Sequence, residues 1–298
     1  MKTNLTISAF GIILCSFLNA QQKATDLAGP YLGQKLPGII PGVFAPAIIS
    51  TERHEFSCCF SPDGNEFYFT RMNPEERQNY IMYTRLLDGS WTEPAIATFA
   101  GAFTFEPFVT LDNRRIYFQT GKVVEGQLLM YTMFAERIDS GWSEAKDPGE
   151  PFNPMKTMHI TITLDGTVYT TDISGGMGTE SLGRIRKENG EYKILEKLGQ
   201  PFNTVEKQQH PWIAPDESYI VFTVRRPGQN PVSVLFCSFK NEDGKWSEPV
   251  ELKLGMDAGQ PYVSYDGNYL FFTSGDPKTG SDIYWVSAKI IDELRPKE

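Results

Sequence analysis

Histidine and cysteine are scarce in this 298-residue chain, at three and four residues, and runs of like charge or of apolar residues are missing beyond the first twenty positions. Each shortage excludes something. No stretch after position 20 approaches the roughly 18 consecutive apolar residues of a membrane-spanning helix, so no membrane span is expected. Lysine and arginine total 28 against 37 aspartate and glutamate, a formal charge of -9. With no basic run, a nucleic-acid surface is not expected either, because phosphate binding needs clustered cations. Three cysteines, Cys58, Cys59 and Cys237, follow the N-terminal segment. An odd number containing an adjacent pair reads as buried free thiols rather than a disulfide framework, since neighbouring strand residues point to opposite faces. A link from Cys237 to Cys58 or Cys59 stays open.

What is present is aromatic and apolar. The chain is 13% aromatic and 40% apolar, enough for one large all-β domain. Residues 1–20 read as a signal peptide, with Lys2 as the charged start, Ile7 to Leu18 as the apolar core and Asn19-Ala20 before Gln21 as the cleavage site. Leu14 stands where a small residue would have to precede a lipidated Cys15, which opposes a lipoprotein. Export then delivers a periplasmic or secreted protein. Residues 21–39, rich in Gly, Pro and Gln, read as a leader over one face, and residues 40–298 as the folded domain.

That domain repeats. Five times an extended apolar segment runs into an Asp-led turn and a second β-rich segment, with turn aspartates Asp63, Asp112, Asp165, Asp216 and Asp266 lying 49, 53, 51 and 50 residues apart. An Asp carboxylate closes such a turn by accepting from backbone N–H groups, and Gly64, Gly166 and Gly267 suit the left-handed conformation of the next position. Asn113 suits it tolerably; Glu217 does not, so the fourth turn is expected to be a variant. A third strand follows in each copy. Hairpin signals at Asp88-Gly89, Ser140-Gly141, Asn189-Gly190 and Asp243-Gly244 then lead to fourth strands headed by Trp91, Trp142, Tyr192 and Trp246. Those aromatics are expected to pack between units rather than to form a sugar-stacking platform. Four strands per fifty residues is one propeller blade. The fifth copy lacks its fourth strand, and Val43-Phe44-Ala45-Pro46-Ala47-Ile48 is similar to the segment after Trp91. A five-bladed β-propeller with four-stranded blades is therefore expected, its ring closed by that N-terminal strand completing the last blade.

The segment Phe56-Ser57-Cys58-Cys59-Phe60-Ser61-Pro62-Asp63-Gly64-Asn65-Glu66-Phe67-Tyr68-Phe69 resembles the WD40-like repeat of TolB-type propellers, whose mark is a Ser-Pro-Asp-Gly turn before an aromatic strand. The other turns match less fully, but the spacing extends the resemblance over roughly residues 40 to 290. It implies a fold and leaves the activity open, because this propeller type includes protein-binding platforms, sugar-binding modules and the metal-dependent oligogalacturonate lyases.

Chemistry is expected at the hub. Six residues before each turn aspartate stand Ser57, Glu106, His159, His210 and Gln260, all polar and all on the innermost strand of their unit; His54 precedes Ser57 by three. Imidazole and carboxylate suit a divalent metal such as Zn, Mn or Fe, and the likeness to oligogalacturonate lyases, which hold a metal with several His and a Gln, implies His159, His210 and Gln260 as ligands. Glu106 would then serve as ligand or general base, with Arg71, Arg225 or Arg226 binding an acidic sugar. The plain alternative is a wet channel whose polar side chains only solvate it. The four connections after the second strands, near residues 71–79, 175–180, 225–231 and 275–281, would select a ligand on one face. The leading expectation is a binding module for a small saccharide, peptide or protein, acting through its channel and that loop face. The other is a metal-dependent lyase or hydrolase of acidic oligosaccharides.

Overall fold

The computed structural model describes residues 27–204, 207–228, 232–276 and 280–296. The segment read as a signal peptide, with Cys15, therefore lies outside the described residues, as do parts of two of the expected loops.

Alternation of apolar and polar residues between Asp-led turns produces five successive groups of antiparallel strands. They are β1 (Gly42–Val43), β2 (His54–Phe60), β3 (Glu66–Asn73), β4 (Gln78–Leu87), β5 (Ser90–Trp91) and β6 (Ala95–Ile96); then β7 (Thr104–Val109), β8 (Arg115–Val124), β9 (Gln127–Ile138) and β10 (Gly141–Trp142). The third group is β11 (Thr157–Ile162), β12 (Val168–Asp172), β13 (Ser181–Glu188) and β14 (Glu191–Lys197). The fourth is β15 (Lys207–Ile213), β16 (Tyr219–Arg226), β17 (Val232–Phe239) and β18 (Val250–Glu251), and the last is β19 (Gly259–Val263), β20 (Tyr269–Asp276) and β21 (Gly280–Ser287). Three of these form separate four-stranded sheets, while the last joins the first through a parallel bridge from His54 to Ser281. Inner strands lie side by side in the order β2, β7, β11, β15, β19, and β19 in turn lies beside β2. This is a β-propeller architecture. No helix among the described residues is long and apolar enough to cross a membrane.

All five turn aspartates act as expected, each Oδ1 accepting from the amide two positions on. The fourth turn is not a variant. Glu217 takes the left-handed conformation, φ 59°, as Asn113 does at 56°. Its carboxylate accepts from Tyr169 Oη of the preceding unit and from Lys240 Nζ, and these bonds offset the backbone strain.

The fourth strands are shorter than expected. Only β14 is long; Trp246 makes an isolated bridge to Lys240, and the strand proper starts at Val250. The cause lies in the Trp-(Ser/Thr)-Glu segments. There a hydroxyl replaces the backbone ladder, Thr92, Ser143 and Ser247 accepting from the third-strand amides of Arg85, Glu136 and Phe239 at 3.0–3.1 Å. Pro94 and Pro249 offer no amide to continue it.

The segment around Phe44 meets the last group. Gly42 and Val43 pair antiparallel with Trp285 and Tyr284, and Phe44 N donates to Ile283 O at 2.8 Å. The strand ends there, since Ala45 and Ala47 turn at positive φ. Phe44, with no exposed surface, packs against Phe60, Phe67, Phe271 and Trp285, whose ring centroids lie 5.1–6.2 Å away. Part of the leader covers the same seam: Leu27 and Leu32 are buried, Trp91 Nε1 donates to Gly29 O at 2.9 Å, and Tyr31 Oη donates to Asp266 at 2.6 Å. Trp142 packs between units as anticipated, its Nε1 donating to Tyr68 Oη of the preceding unit at 2.8 Å. The three cysteines of the described residues are buried and free, and burial raises the thiol pKa of each.

Candidate functional site

The five hub positions share a backbone device that the repeat alone does not reveal. Ser57, Glu106, His159, His210 and Gln260 all have positive φ, between 45° and 56°. In every unit the register between first and second strands slips at or beside that residue. A bulge of this kind leaves an amide outside the ladder and re-aims the side chain. Four of the freed amides are met by a threonine on the second strand of the preceding unit. Ser57 N donates to Thr273, Glu106 N to Thr70, His210 N to Thr171 and Gln260 N to Thr223, at 2.8–3.1 Å. For His159 the corresponding position is Gln119, whose Oε1 accepts from Thr132 Oγ1 instead. The aromatic-Thr pairs Phe69-Thr70, Phe222-Thr223 and Phe272-Thr273 were the visible signal for these joints.

The bulges bring side chains from opposite parts of the chain together. His210 Nε2 lies 3.2 Å from Glu106 Oε1, and Gln260 Nε2 donates to the same oxygen at 3.2 Å. His159 and His210 meet edge to face with ring centroids 5.3 Å apart. Glu106, His159 and His210 are 4%, 7% and 8% exposed, and Gln260 is half-buried. Ser57 is buried in the same ring of bulges, anchored through its backbone.

The remaining sequence candidates lie apart from this cluster. His54 opens β2, paired with Met72 and Ser281. Arg71 is not a ligand-facing cation. It lies directly across the ladder from Glu55, donates to its carboxylate at 2.6 Å and caps the carbonyls of Ile48 and Ile49. Arg225 is exposed at the end of β16, and Arg226 pairs with Glu251.

Burial pushes the Glu106 carboxyl pKa up, but the hydrogen bond from His210, the two imidazoles and the Gln260 amide outweigh it, leaving a net depression. The group is held ionised. Burial lowers His159 to about 4 against an ordinary 6.5, with His210 lowering it further and only Glu106 opposing. His159 is thus neutral at pH 7. Glu106 Oε2, His210 Nδ1 and both nitrogens of His159 are buried without partners. Unmet buried polar atoms are rare in folded proteins and mark a site that something else satisfies.

A pH dependence follows. As pH falls below 6.5 the unfolded chain takes a proton at position 159 before the folded chain does, so the stability present above 6.5 is lost progressively down to about 4. The drop should reach about 3 kcal/mol. Urea unfolding at pH 7, 5.5 and 4.5 checks this, and a His159→Gln variant should flatten the slope over that window.

Lone pairs of this kind also suit a divalent ion. Yet among the described residues no group of three His, Cys, Asp or Glu side chains is disposed to hold one, because Glu106 and His210 already spend their facing atoms on each other.

No family model matches the sequence, and no curated protein matches it. Solved structures do. TolB from Acinetobacter baumannii is 16% identical at a TM-score of 0.50, covering 77% of this chain, which spans about half (51%) of that structure's length. The catalytic domain of a GH62 α-L-arabinofuranosidase from Coprinopsis cinerea is 10% identical, covering 83% of this chain and 94% of its own at 0.51. A glucose dehydrogenase is 9% identical, covering 83% and 99% at 0.51. At such identities the likeness is one of fold alone: the chain is a β-propeller with TolB among its structural neighbours.

Proposed function

We propose that this chain is an exported binding module: a five-bladed propeller, closed by the strand at Gly42–Val43, whose hub takes a small, donor-rich polar ligand. The observation that carries this reading is the set of partnerless polar atoms around Glu106, His159 and His210. An ionised carboxylate oxygen and the lone pair of neutral His159 call for hydrogen-bond donors, while the His159 N–H calls for an acceptor, and neighbouring hydroxyls supply both at once. A saccharide is the ligand class that best matches this chemistry. The loops beyond the second strands would choose among sugars, and a peptide or protein carrying such a group would dock on the same face.

The test is calorimetric titration of the untagged protein with glucose, arabinose, galacturonic acid and short oligomers of each. At least one should bind saturably, and a His159→Ala, His210→Ala double variant should weaken it by roughly tenfold or more. The reading fails if none binds, or if binding survives the double substitution in a folded variant. Metal analysis of the same untagged protein is the companion measurement: a stoichiometric divalent ion that the double variant loses would replace this reading with the metal-dependent enzyme.

A further inference from the structure

A cleft of about 960 Å³ opens between the second and third units, at the end of the sheets that bears the Asp-led turns. Its origin is visible when this seam is set against the one before it. Between the first and second units, Arg137 grips Glu66 through two guanidinium nitrogens at 2.6 and 3.0 Å and stacks on Trp142 at 3.8 Å. Tyr68 Oη donates to Glu66 at 2.9 Å while accepting from Trp142. The seam is shut by an acid held between a cation and an aromatic pair.

The same positions at the next seam are occupied differently. Glu66 and Tyr68 stand three and five residues after Asp63, and Arg115 and Tyr117 stand three and five after Asp112. Arg137 faces Trp142 across its hairpin, and Lys187 faces Tyr192 across the next. The acid has become an arginine, and the indole a smaller phenol. Where the first seam has an ion pair, the second therefore sets Arg115 against Lys187, two cations that cannot close on one another.

Both cations reach the same wall of the cleft. Lys187 Nζ lies 5.4 Å from the centroid of the Tyr192 ring, and Arg115 and Tyr117 line the same cleft. Neither Lys187 nor the exposed Arg114 pairs with a carboxylate, since the acids lining the cleft are committed within their own units. Asp112 and Asp165 close their turns, and Glu136 binds Arg115 and Lys146. Four cations, Arg114, Arg115, Arg137 and Lys187, thus line the cleft against three acids, Asp112, Glu136 and Asp165, in a chain of net charge -9.

We propose that this cleft is a second ligand site, separate from the hub, and that it binds the compact oxyanion, carboxylate or phosphate, of a small molecule. The anion takes the place that Glu66 fills at the preceding seam, between Arg115 and Lys187 and against the hydroxyls of Tyr117 and Tyr192. Charge-assisted hydrogen bonds from arginine and lysine to such an oxyanion are the strong ones available at a partly exposed site.

The experiment is calorimetric titration of the untagged protein at low ionic strength with citrate and, separately, with inorganic phosphate; whichever binds identifies the anion source. Saturable one-to-one binding of at least one is expected, weakened about tenfold or more by Lys187→Gln. The paired exchange Arg115→Glu with Glu136→Arg rebuilds at the second seam the Glu66–Arg85 arrangement of the first unit. It should abolish binding while leaving the thermal midpoint unchanged or higher, which separates loss of the site from loss of the fold. If the exchange variant does not fold, Lys187→Gln, an exposed position, decides alone. Binding by neither anion, or an affinity indifferent to Lys187→Gln, overturns the proposal. A His159→Ala, His210→Ala variant should bind the anion as before, so this site and the hub stand or fall separately.

Discussion

Arg71→Ala should lower the free energy of unfolding by about 3–5 kcal/mol, the range for removing one partner of a buried ion pair. Glu55 has no exposed side-chain surface and Arg71 only 13%. Besides Arg71, the Glu55 carboxylate accepts, among the described residues, only from Thr51, through its amide and its hydroxyl. Asp282 also feels it: burial, and then the charge of Glu55, raise the Asp282 carboxyl pKa. Truncating Arg71 thus strands a charge in the interior, sharpens its repulsion with Asp282 and frees the carbonyls of Ile48 and Ile49 that position the turn after Phe44. Urea denaturation at pH 7 measures the change, with Arg71→Lys intermediate because one ammonium cannot serve the carboxylate and both carbonyls. A loss below about 1 kcal/mol, the range of an exposed pair, would show that solvent reaches the pair.

Phe44→Ala is expected to have a comparable effect, about 3–5 kcal/mol, by the same denaturation measurement. The ring lies among Phe60, Phe67, Phe271 and Trp285, drawn from the first and last strand groups. Its removal opens a cavity where those groups meet and weakens the bond from Phe44 N to Ile283 O. Ile40→Ala, at a residue 78% exposed four positions earlier, is the control and should change stability by less than about 0.5 kcal/mol. A Phe44→Leu variant should recover part of the loss by refilling most of the volume.

Much of this architecture could be read from residues because it depends on local rules used repeatedly. An Asp in a tight turn bonds the amide two residues on whatever surrounds it, so the five aspartates mark five turns, and counting back six places finds the hub. Glu217 shows the limit of such rules, since a left-handed glutamate is disfavoured until Tyr169 and Lys240, 48 residues before and 23 after, supply its bonds. Arg71 shows another. Its position after a second strand suggested a ligand-facing cation, yet Glu55 and Arg71 each lie eight residues from Asp63, and pairing the strands about that turn would have placed them opposite one another. What no local rule supplies is the angular arrangement of the hub. That Glu106 meets both His210 and Gln260 depends on strands far apart in the sequence lying side by side, and so does the missing threonine joint at His159, where Gln119 stands in place of threonine. The cleft escaped notice for a similar reason, since Arg115 and Lys187 acquire meaning only beside Glu66 and Arg137.

The pairing of Gly42 and Val43 with Trp285 and Tyr284 also bears on how the chain reaches this shape. Contacts between residues some 240 positions apart are the slowest to form, because the intervening loop must first surrender its entropy. During synthesis residue 43 must wait for residues 284 and 285 to emerge. Until it pairs with them, the flank of Gly280–Ser287 that will receive it stays bare, and a bare flank invites pairing with other molecules. The interval before Gly42 and Val43 settle against Trp285 and Tyr284 is therefore when this protein is most exposed to association with its own copies, and their pairing ends it.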